Sequence, residues 1–404
     1  MEKLAFTDGE KIGVFDGESV FYCESEYVTR YRNYIENKNR KDEWKFSGEG
    51  ARFRGDYEQY AARQNEQVYA YINGVQWDGD KVVYSFTVNS TSGVYRKAVF
   101  EERAAAGQPV AEDHILSSSD EEILSLHARG QTIAVTVKNG VVSSIGTLNS
   151  VNSELKTFTA GDVRDENAYF SPVDPNLLYF NSAGAGMDKD GNYTGKFSPS
   201  AICTFNLNTM EITEVLRDQK KSYFRPKIDK DGTLYCIERP TKEKRAGNVF
   251  LDIVLIPYRI IQAIVMFIQM FVVMFTGKSM ISETSGGVNP TKGRKADKKK
   301  IFIDGNVIEA DKELKRNKKN KDKEYGFIPM SWKLIRVADG KTEVVRSGVC
   351  DFDFTADGGV YCTNGRHIFY VKDGKRQKIA DTDMCLHLAT ANPEYKESDD
   401  LFGI

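Results

Sequence analysis

Several absences narrow the chemistry open to this sequence. It has no CxxC pair, no GxSxG nucleophile elbow and only four histidines, His114, His127, His367 and His387. The one histidine with a ligand-type neighbour is in Cys385-Leu386-His387, a pair that would need distant partners to hold a metal. The other three read as structural. Six cysteines (Cys23, Cys203, Cys236, Cys350, Cys362, Cys385) are scattered, which suits reduced thiols in a cytosolic protein better than a disulfide framework. The first nine residues carry no apolar run after a basic start, so no secretory signal is expected. Gly184-Ala185-Gly186 lacks the third glycine and the strand–helix context of a dinucleotide site. Asp188-Lys189-Asp190-Gly191-Asn192 has the early spacing of a calcium loop. Tyr193 and Pro199, however, stand where that loop needs glycine and glutamate, so it reads as an acidic hairpin tip. No catalytic, cofactor-binding or metal-binding residue is singled out, and no cofactor is expected.

What is present favours β structure. The 404 residues are 28% charged and 40% apolar, the balance of an ordinary folded protein. Tyrosine and phenylalanine together number 43, and residues of that kind fit pleated, half-buried surfaces.

A turn followed by an apolar run recurs along the chain. It appears as Asp16-Gly17 before Val20–Cys23, Asp78-Gly79 before Val82–Ser85, and Arg129-Gly130 before Ile133–Val135. It returns as Asp174-Pro175 before Leu177–Phe180, Asp231-Gly232 before Leu234–Cys236, and Asp357-Gly358 before Val360–Cys362. Glycine tolerates the positive φ of a tight turn, and each run reads as an inner, buried strand. Cys23, Cys236 and Cys362 share one position in these runs. Paired alternating strands follow several copies: Ile202–Leu207 with Glu211–Leu216, Trp332–Val337 with Thr342–Val345, and His367–Val371 with Arg376–Ile379. Alternation with one wet face suits the outer strands of a blade. Four antiparallel strands per unit is a propeller blade, and six copies predict an all-β, six-bladed β-propeller over residues 1–404. Residues 25–66 leave room for a seventh blade.

The segment Phe170-Ser171-Pro172-Val173-Asp174-Pro175 leading into Leu177–Phe180 resembles the repeated turn-and-strand of the TolB-like and related six-bladed propellers. The resemblance covers most of the chain outside two insertions. Only Ser171-Pro172 keeps the Ser-Pro, whereas other copies have Gln76-Trp77-Asp78, Lys230-Asp231 or Ala356-Asp357. It implies a fold used for binding proteins or small ligands and sometimes for catalysis, so it leaves function open. A prolyl-oligopeptidase-type enzyme is not expected, since the sequence holds no GxSxG and no hydrolase half follows the propeller.

The first insertion, residues 25–66, interleaves Tyr27, Tyr31, Tyr34, Trp44, Phe46 and Phe53 with Arg30, Arg32, Arg52 and Arg54. Aromatics with positive charge are how single strands are bound, but Glu36, Asp42, Glu43, Glu49, Asp56 and Glu58 nearly cancel that charge. A decorated loop with short helices is the expectation here, not a nucleic-acid site.

The second insertion, residues 240–330, falls in the fifth blade. Its segment 249–276 is apolar except for Asp252, Arg259, Gln262 and Gln269, which share a strip about 100° wide on a helix. About twenty such residues can span a bilayer. A single crossing conflicts with the repeat, since the flanking strands of one blade should pair about 5 Å apart. The helix is therefore expected to lie in the interface or re-enter, with Ile253, Ile256, Ile260, Ile264, Phe267, Phe271 and Phe275 contacting lipid. Residues 292–324 hold 13 Lys or Arg against 7 Asp or Glu, a local charge of +6 within a chain of net −2. A polybasic segment (292–323) beside an apolar helix is a two-signal arrangement for anionic cytoplasmic leaflets. Lys292, Arg294, Lys295, Lys298, Lys299 and Lys300 are the expected anionic-lipid contacts.

The sequence thus points to a non-enzymatic propeller scaffold that binds a protein partner and associates with the cytoplasmic face of a membrane. Two alternatives stand beside it. One is an enzyme or small-ligand sensor using the central channel. The other is a homo-oligomer joined through the apolar helix.

Overall fold

A computed structural model describes residues 2–43, 68–89, 91–105, 110–241, 300–320, 323–338 and 340–391. The chain divides into two units, Met1–Thr241 with Lys312–Ile404, and Lys242–Asp311.

The larger unit is mostly β and consists of antiparallel strand quartets. β1 (Leu4–Asp8), β2 (Lys11–Phe15) and β3 (Val20–Glu24) form a quartet with β27 (Leu388–Thr390), which joins the free edge of β1. The next quartet runs in order through β4 (Ala70–Asp78), β5 (Lys81–Val88), β6 (Thr91–Lys97) and β7 (Asp113–Ser118). β8 (Glu122–Arg129), β9 (Thr132–Asn139), β10 (Val142–Asn149) and β11 (Leu155–Thr157) follow. Then come β12 (Val163–Phe170), β13 (Leu177–Met187), β15 (Ala201–Asn206) and β16 (Ile212–Leu216), with β14 (Tyr193–Phe197) folded back on β13. These last two groups form one nine-stranded sheet, joined through a single parallel pair, Ser143 with Arg164. The chain continues with β17 (Lys221–Ile228), β18 (Leu234–Pro240), β21 (Lys333–Ala338) and β22 (Lys341–Ser347). It ends with β23 (Asp351–Phe354), β24 (Val360–Thr363), β25 (His367–Lys372) and β26 (Lys375–Asp381).

One joint recurs between successive quartets and makes the arrangement propeller-like. At or just before the start of a quartet's first strand, the backbone meets the preceding quartet between its second and third strands. Ile72 N donates to Gly9 O (3.0 Å), Ile123 N to Ser92 Oγ (3.0 Å) and Tyr223 N to Ser200 O (2.9 Å). Gly348 N donates to Trp332 O (2.6 Å) and Cys385 N to Gly365 O (2.9 Å), while the Ser143–Arg164 pair occupies the corresponding place between β10 and β12. Leu4, Ala5 and Phe6 pair with Thr390, Ala389 and Leu388, so the C-terminal strand closes the circuit on the N-terminal one.

The core lies between facing sheets. Phe170, Leu178, Phe180, Cys203 and Phe205 pack against Ala134 and Ile145, and Leu4, Phe6 and Phe15 against Tyr361, Ile368 and Ala380. Some second strands are buried along almost their whole length; in β5 every residue after Lys81 is buried. The turns that precede them use glycine as the sequence predicts, with Gly79 at φ 62° and Gly232 at φ 83°.

One copy of the repeat is misplaced. Val20–Glu24 is not an inner strand but the outermost of its quartet, and Tyr22 is 44% exposed. The strand equivalent to the other runs is Leu4–Asp8. Its inner partner comes from the far end of the chain, so no turn precedes it. Cys236 and Cys362 do share the second-strand position, whereas Cys23 does not. The alternating pairs read from sequence are β15 with β16, β21 with β22 and β25 with β26, each the outer half of a quartet.

Helix α1 (Glu26–Glu43) lies between β3 and β4, and α2 (Val99–Ala104) between β6 and β7. In α1, Val28 is buried, and Tyr27 sits 4.8 Å from the Phe86 ring. Arg30 and Arg32 pair with Glu26 and Glu10. These aromatics and arginines are therefore engaged within the protein. Trp44, Phe46, Arg52, Phe53 and Arg54 lie outside the described residues.

β18 pairs with β21 from Leu234↔Val337 to Glu238↔Lys333, so residues 241–332 separate two neighbouring strands. The last part of this segment belongs to the larger unit. Phe327, Ile328 and Trp332 are almost fully buried, and a Cβ at Gly326 would meet Asn364 O at 2.1 Å. Asn317, ending helix α3 (Ala310–Asn317), donates to Gly326 O and Ile328 O (2.9 and 2.8 Å).

In the second unit the described residues form a hairpin, β19 (Lys300–Ile303) and β20 (Asn306–Glu309). Asp304 and Gly305 both have positive φ (43° and 75°), the geometry of a tight two-residue turn matched to strand twist. The predicted lipid contacts Ile253, Ile256, Ile260, Ile264, Phe267, Phe271, Phe275, Lys292, Arg294, Lys295, Lys298 and Lys299 lie outside the described residues. Lys300 is the first residue of β19. Among the described residues no helix is long and apolar enough to cross a membrane.

Candidate functional site

The first strands of the quartets surround a common channel. Its lining draws on β4 (Gly74, Val75, Gln76), β8 (Ser125, Leu126, His127), β12 (Asn167, Ala168, Tyr169) and β17 (Arg225, Pro226, Lys227). Asp351 of β23, and His387 and Leu388 at β27, complete it. The cavity there measures about 50 Å³. At ~10–15 Å³ for each water, that is room for a few water molecules rather than for a large organic ligand.

Local irregularity turns these side chains inward. The pairing register shifts between Ile72 and Gly74, Ile123 and Ser125, Glu166 and Tyr169, and Phe224 and Lys227, each within a first strand. Such bulges re-aim side chains. In two of them a non-glycine residue takes the left-handed conformation, Asn167 at φ 59° and Arg225 at φ 52°. Both are held by hydrogen bonds to neighbouring strands. Asn167 N donates to Thr136 Oγ1 (2.9 Å) and its Nδ2 to Asn181 Oδ1 (2.9 Å), which also accepts from Arg225 N (3.2 Å). Asparagine tolerates this conformation well, whereas arginine does so only where its surroundings compensate.

That compensation is an ionic cluster. The Arg225 guanidinium donates to Leu386 O (2.5 Å) and lies 3.4 Å from Asp351 Oδ2. Lys227 Nζ sits 3.3 Å from Asp353 Oδ1 and 4.0 Å from Asp351 Oδ1. The same carboxylates hold the closing strand: Asp351 Oδ2 accepts from Leu388 N (2.9 Å), and Asp353 Oδ2 from Thr390 N (2.7 Å) and Thr390 Oγ1 (3.0 Å). Two cations balance two carboxylates, and the set bridges β17, β23 and β27.

The two channel histidines make different contacts. Arg225 Nη2 lies 3.4 Å from His387 Nε2. His127 Nδ1 accepts from Phe170 N (3.0 Å), leaving its proton on Nε2. The His127 ring stacks on Tyr169 with centroids 3.9 Å apart. Burial, and then the positive charges of Lys227 and Arg129, hold the His127 pKa well below its ordinary value. A neutral imidazole here accepts a structural hydrogen bond.

A second buried ionic cluster ties α2 and β6 to the first quartet. Lys97 Nζ is 1% exposed and donates to Glu24 O and Glu112 Oε1 (both 2.7 Å), with Glu102 Oε2 at 2.5 Å. The Tyr84 hydroxyl donates to Glu112 Oε2 (2.6 Å) and lies 2.9 Å from Ser25 Oγ. Lys97 thus stands between two carboxylates, Glu102 and Glu112, at the centre of the cluster.

The remaining candidates from the sequence are dispersed. His114 Nε2 is 3.0 Å from Ser117 Oγ, and His367 Nδ1 is 2.6 Å from Asp381 Oδ1. Asp188 Oδ1 accepts from Asp190 N and Asn192 N (2.9 and 2.8 Å), closing the hairpin tip on itself. All six cysteines are free and buried, and burial pushes the Cys203 and Cys362 thiols up to about 11 and Cys23 to about 12. Among the described residues no group of histidine, cysteine and carboxylate could hold a metal ion.

The channel residues had a signal in the sequence. They lie on the strands just before the repeated turns, where polar residues interrupt the apolar pattern, as in Gln76 before Asp78-Gly79 and Arg225-Pro226-Lys227 before Asp231-Gly232.

No family model matches the sequence, and no curated protein does. Similar solved structures include TolB from Acinetobacter baumannii, at 11% identity and a TM-score of 0.48, covering 96% of this chain and 66% of that one. Another is a nidogen/laminin complex, at 8% identity and a TM-score of 0.46, covering 97% of this chain and 99% of that one. A third is the tricorn protease, at 11% identity and a TM-score of 0.43, covering 96% of this chain but 34% of that one. The chain thus spans about two thirds of the TolB chain and one third of the protease.

Proposed function

We propose that the larger unit is a six-bladed β-propeller acting as a non-enzymatic binding scaffold, held at the cytoplasmic face of a membrane by the insertion in its fifth blade. The blade count rests on the strand quartets and their repeated joint, with the two halves of the nine-stranded sheet counted as separate blades. The membrane reading rests on the apolar stretch 249–276 beside the basic segment 292–323 in the sequence, and the pairing of β18 with β21 limits how that stretch could meet a bilayer. Both ends of the insertion leave from neighbouring strands, so its apolar stretch 249–276 must enter and leave any bilayer on the same side. An interfacial or re-entrant segment meets that condition, and a single crossing does not. The scaffold reading is supported by the channel, whose charged groups are committed to one another and to the closing strand.

The test compares membrane fractionation of the full chain with that of a variant lacking residues 245–308. The deletion stops there because Asn317, Phe327, Ile328 and Trp332 pack in the larger unit. The full chain is expected with membranes and the folded variant in solution. If both remain soluble and monomeric without detergent, the tether is wrong, and so is assembly through the apolar segment.

A second reading, a small-ligand sensor or enzyme, is favoured by the meeting of His127, Asn167, Arg225, Lys227, Asp351 and His387 at the channel. A panel of small anions and polar metabolites tested by thermal shift separates the two. A stabilisation lost in Lys227→Met would favour this second reading.

A further inference from the structure

One polar side chain on the channel wall is not used by the fold. Val75 and Trp77 of β4 pack in the core, so Gln76 between them projects from the opposite face of the strand, where it borders the cavity. Gln76 is 8% exposed, and among the described residues its carboxamide has no hydrogen-bond partner. Buried amides are ordinarily paired, so this one calls for a partner from the channel. Lys227 borders the same cavity. Its ion-pair partners, at 3.3 and 4.0 Å, both belong to β23, and an ammonium has three donors. The charged groups of the wall are two cations, Arg225 and Lys227, and one carboxylate, Asp351. Asp351 Oδ2 is engaged by Leu388 N and Arg225, and Asp353, which is not part of the wall, is engaged by Thr390 as well as Lys227. The charges that act on His127, also on the wall, are those of Lys227 and Arg129, both positive. Ammonium and amide N–H groups donate to a negative oxygen, while the amide oxygen accepts from a hydroxyl. The cavity of about 50 Å³ holds a few waters, and so an ion of about four non-hydrogen atoms.

We propose that the channel binds a small monoanionic oxyanion bearing one hydroxyl, of the bicarbonate type, between the Lys227 ammonium and the Gln76 carboxamide. This rests on the small-ligand reading above and gives it a ligand class; it is independent of the membrane reading. Gln76 takes no part in the ionic cluster, so replacing it removes a ligand contact and leaves Arg225, Lys227, Asp351 and Asp353 in place.

The test is calorimetric titration of the full chain with bicarbonate and with nitrate, a planar monoanion of similar size that lacks the hydroxyl, in chloride at constant ionic strength. Bicarbonate should bind. Binding should be about tenfold weaker or more for nitrate, and for bicarbonate in Gln76→Leu, since a hydrogen bond to a charged group supplies at least that much. Absence of bicarbonate binding overturns the proposal. So does equal binding of nitrate, or an affinity for bicarbonate unchanged in a folded Gln76→Leu. If Gln76→Leu does not fold, as judged by circular dichroism, the comparison of bicarbonate with nitrate on the wild type decides. The small-ligand reading fails separately, when no member of the thermal-shift panel stabilises the wild type. Stabilisation by a neutral metabolite but not by bicarbonate leaves that reading standing and removes the oxyanion.

Discussion

The first and second strands of each quartet lie side by side, yet they obey different rules. Second strands such as β5 and β24 are buried on both faces along almost their whole length, and runs like Val82–Val88 and Val360–Thr363 are mostly apolar. First strands such as β12 and β17 have one edge on the channel. They carry bulges, left-handed Asn167 and Arg225, and an ionic cluster. Burial on both faces leaves a strand little choice of residue. A wet channel tolerates polar groups only when each is satisfied, and this permits many sequences with one geometry.

Four experiments bear on that contrast. The largest effect should come from ending the chain at Cys385, which removes β27. Without its pairing to β1 and its bonds to Asp351 and Asp353, the circuit is open, and circular dichroism should show loss of the cooperative thermal transition. Next, Phe180→Ala in a second strand, where the ring is 1% exposed, should cost about 3–5 kcal/mol in denaturant unfolding. Asp351→Ala in the channel should cost less, about 3 kcal/mol, the low end for breaking a buried pair, because Arg225 keeps Leu386 O and the adjoining cavity has room for water. A cost equal to or above that of Phe180→Ala would mean the channel is as dry as the core.

The smallest effect is pH-dependent. His127 is held neutral in the folded protein, while in the unfolded chain it takes up a proton near its ordinary value of 6.5. The unfolded state therefore binds more protons below that pH, and stability should fall by up to ~1.4 kcal/mol per pH unit as the solution is acidified. His127→Gln, which keeps an acceptor for Phe170 N, should flatten the stability profile between about pH 6.5 and pH 5. An unchanged slope would show that imidazole to be solvated.

Much of the quartet pattern is legible in the sequence because each Asp-Gly turn and the apolar run after it answer a local demand: positive φ, then burial on both faces. The outer pairs β15–β16, β21–β22 and β25–β26 were equally readable from their alternation. The first quartet misled for a definite reason. Asp16-Gly17 joins third and fourth strands there, while the true second strand, Leu4–Asp8, finds its inner partner about 380 residues away. The channel residues were present as polar interruptions before the turns, but their meeting depends on bulges that no local pattern encodes.

By itself, then, the sequence determined much of the repeated quartet and the class of fold, because both follow from periodicity and local backbone preference. Tertiary structure alone decided which strand closes the circuit, that Asp351 and Asp353 hold it, that His127 is neutral, and that Phe302 and Val307 face water. Those depend on contacts between residues far apart in the chain, whose free energies are set by burial and partner geometry once the sheets have come together.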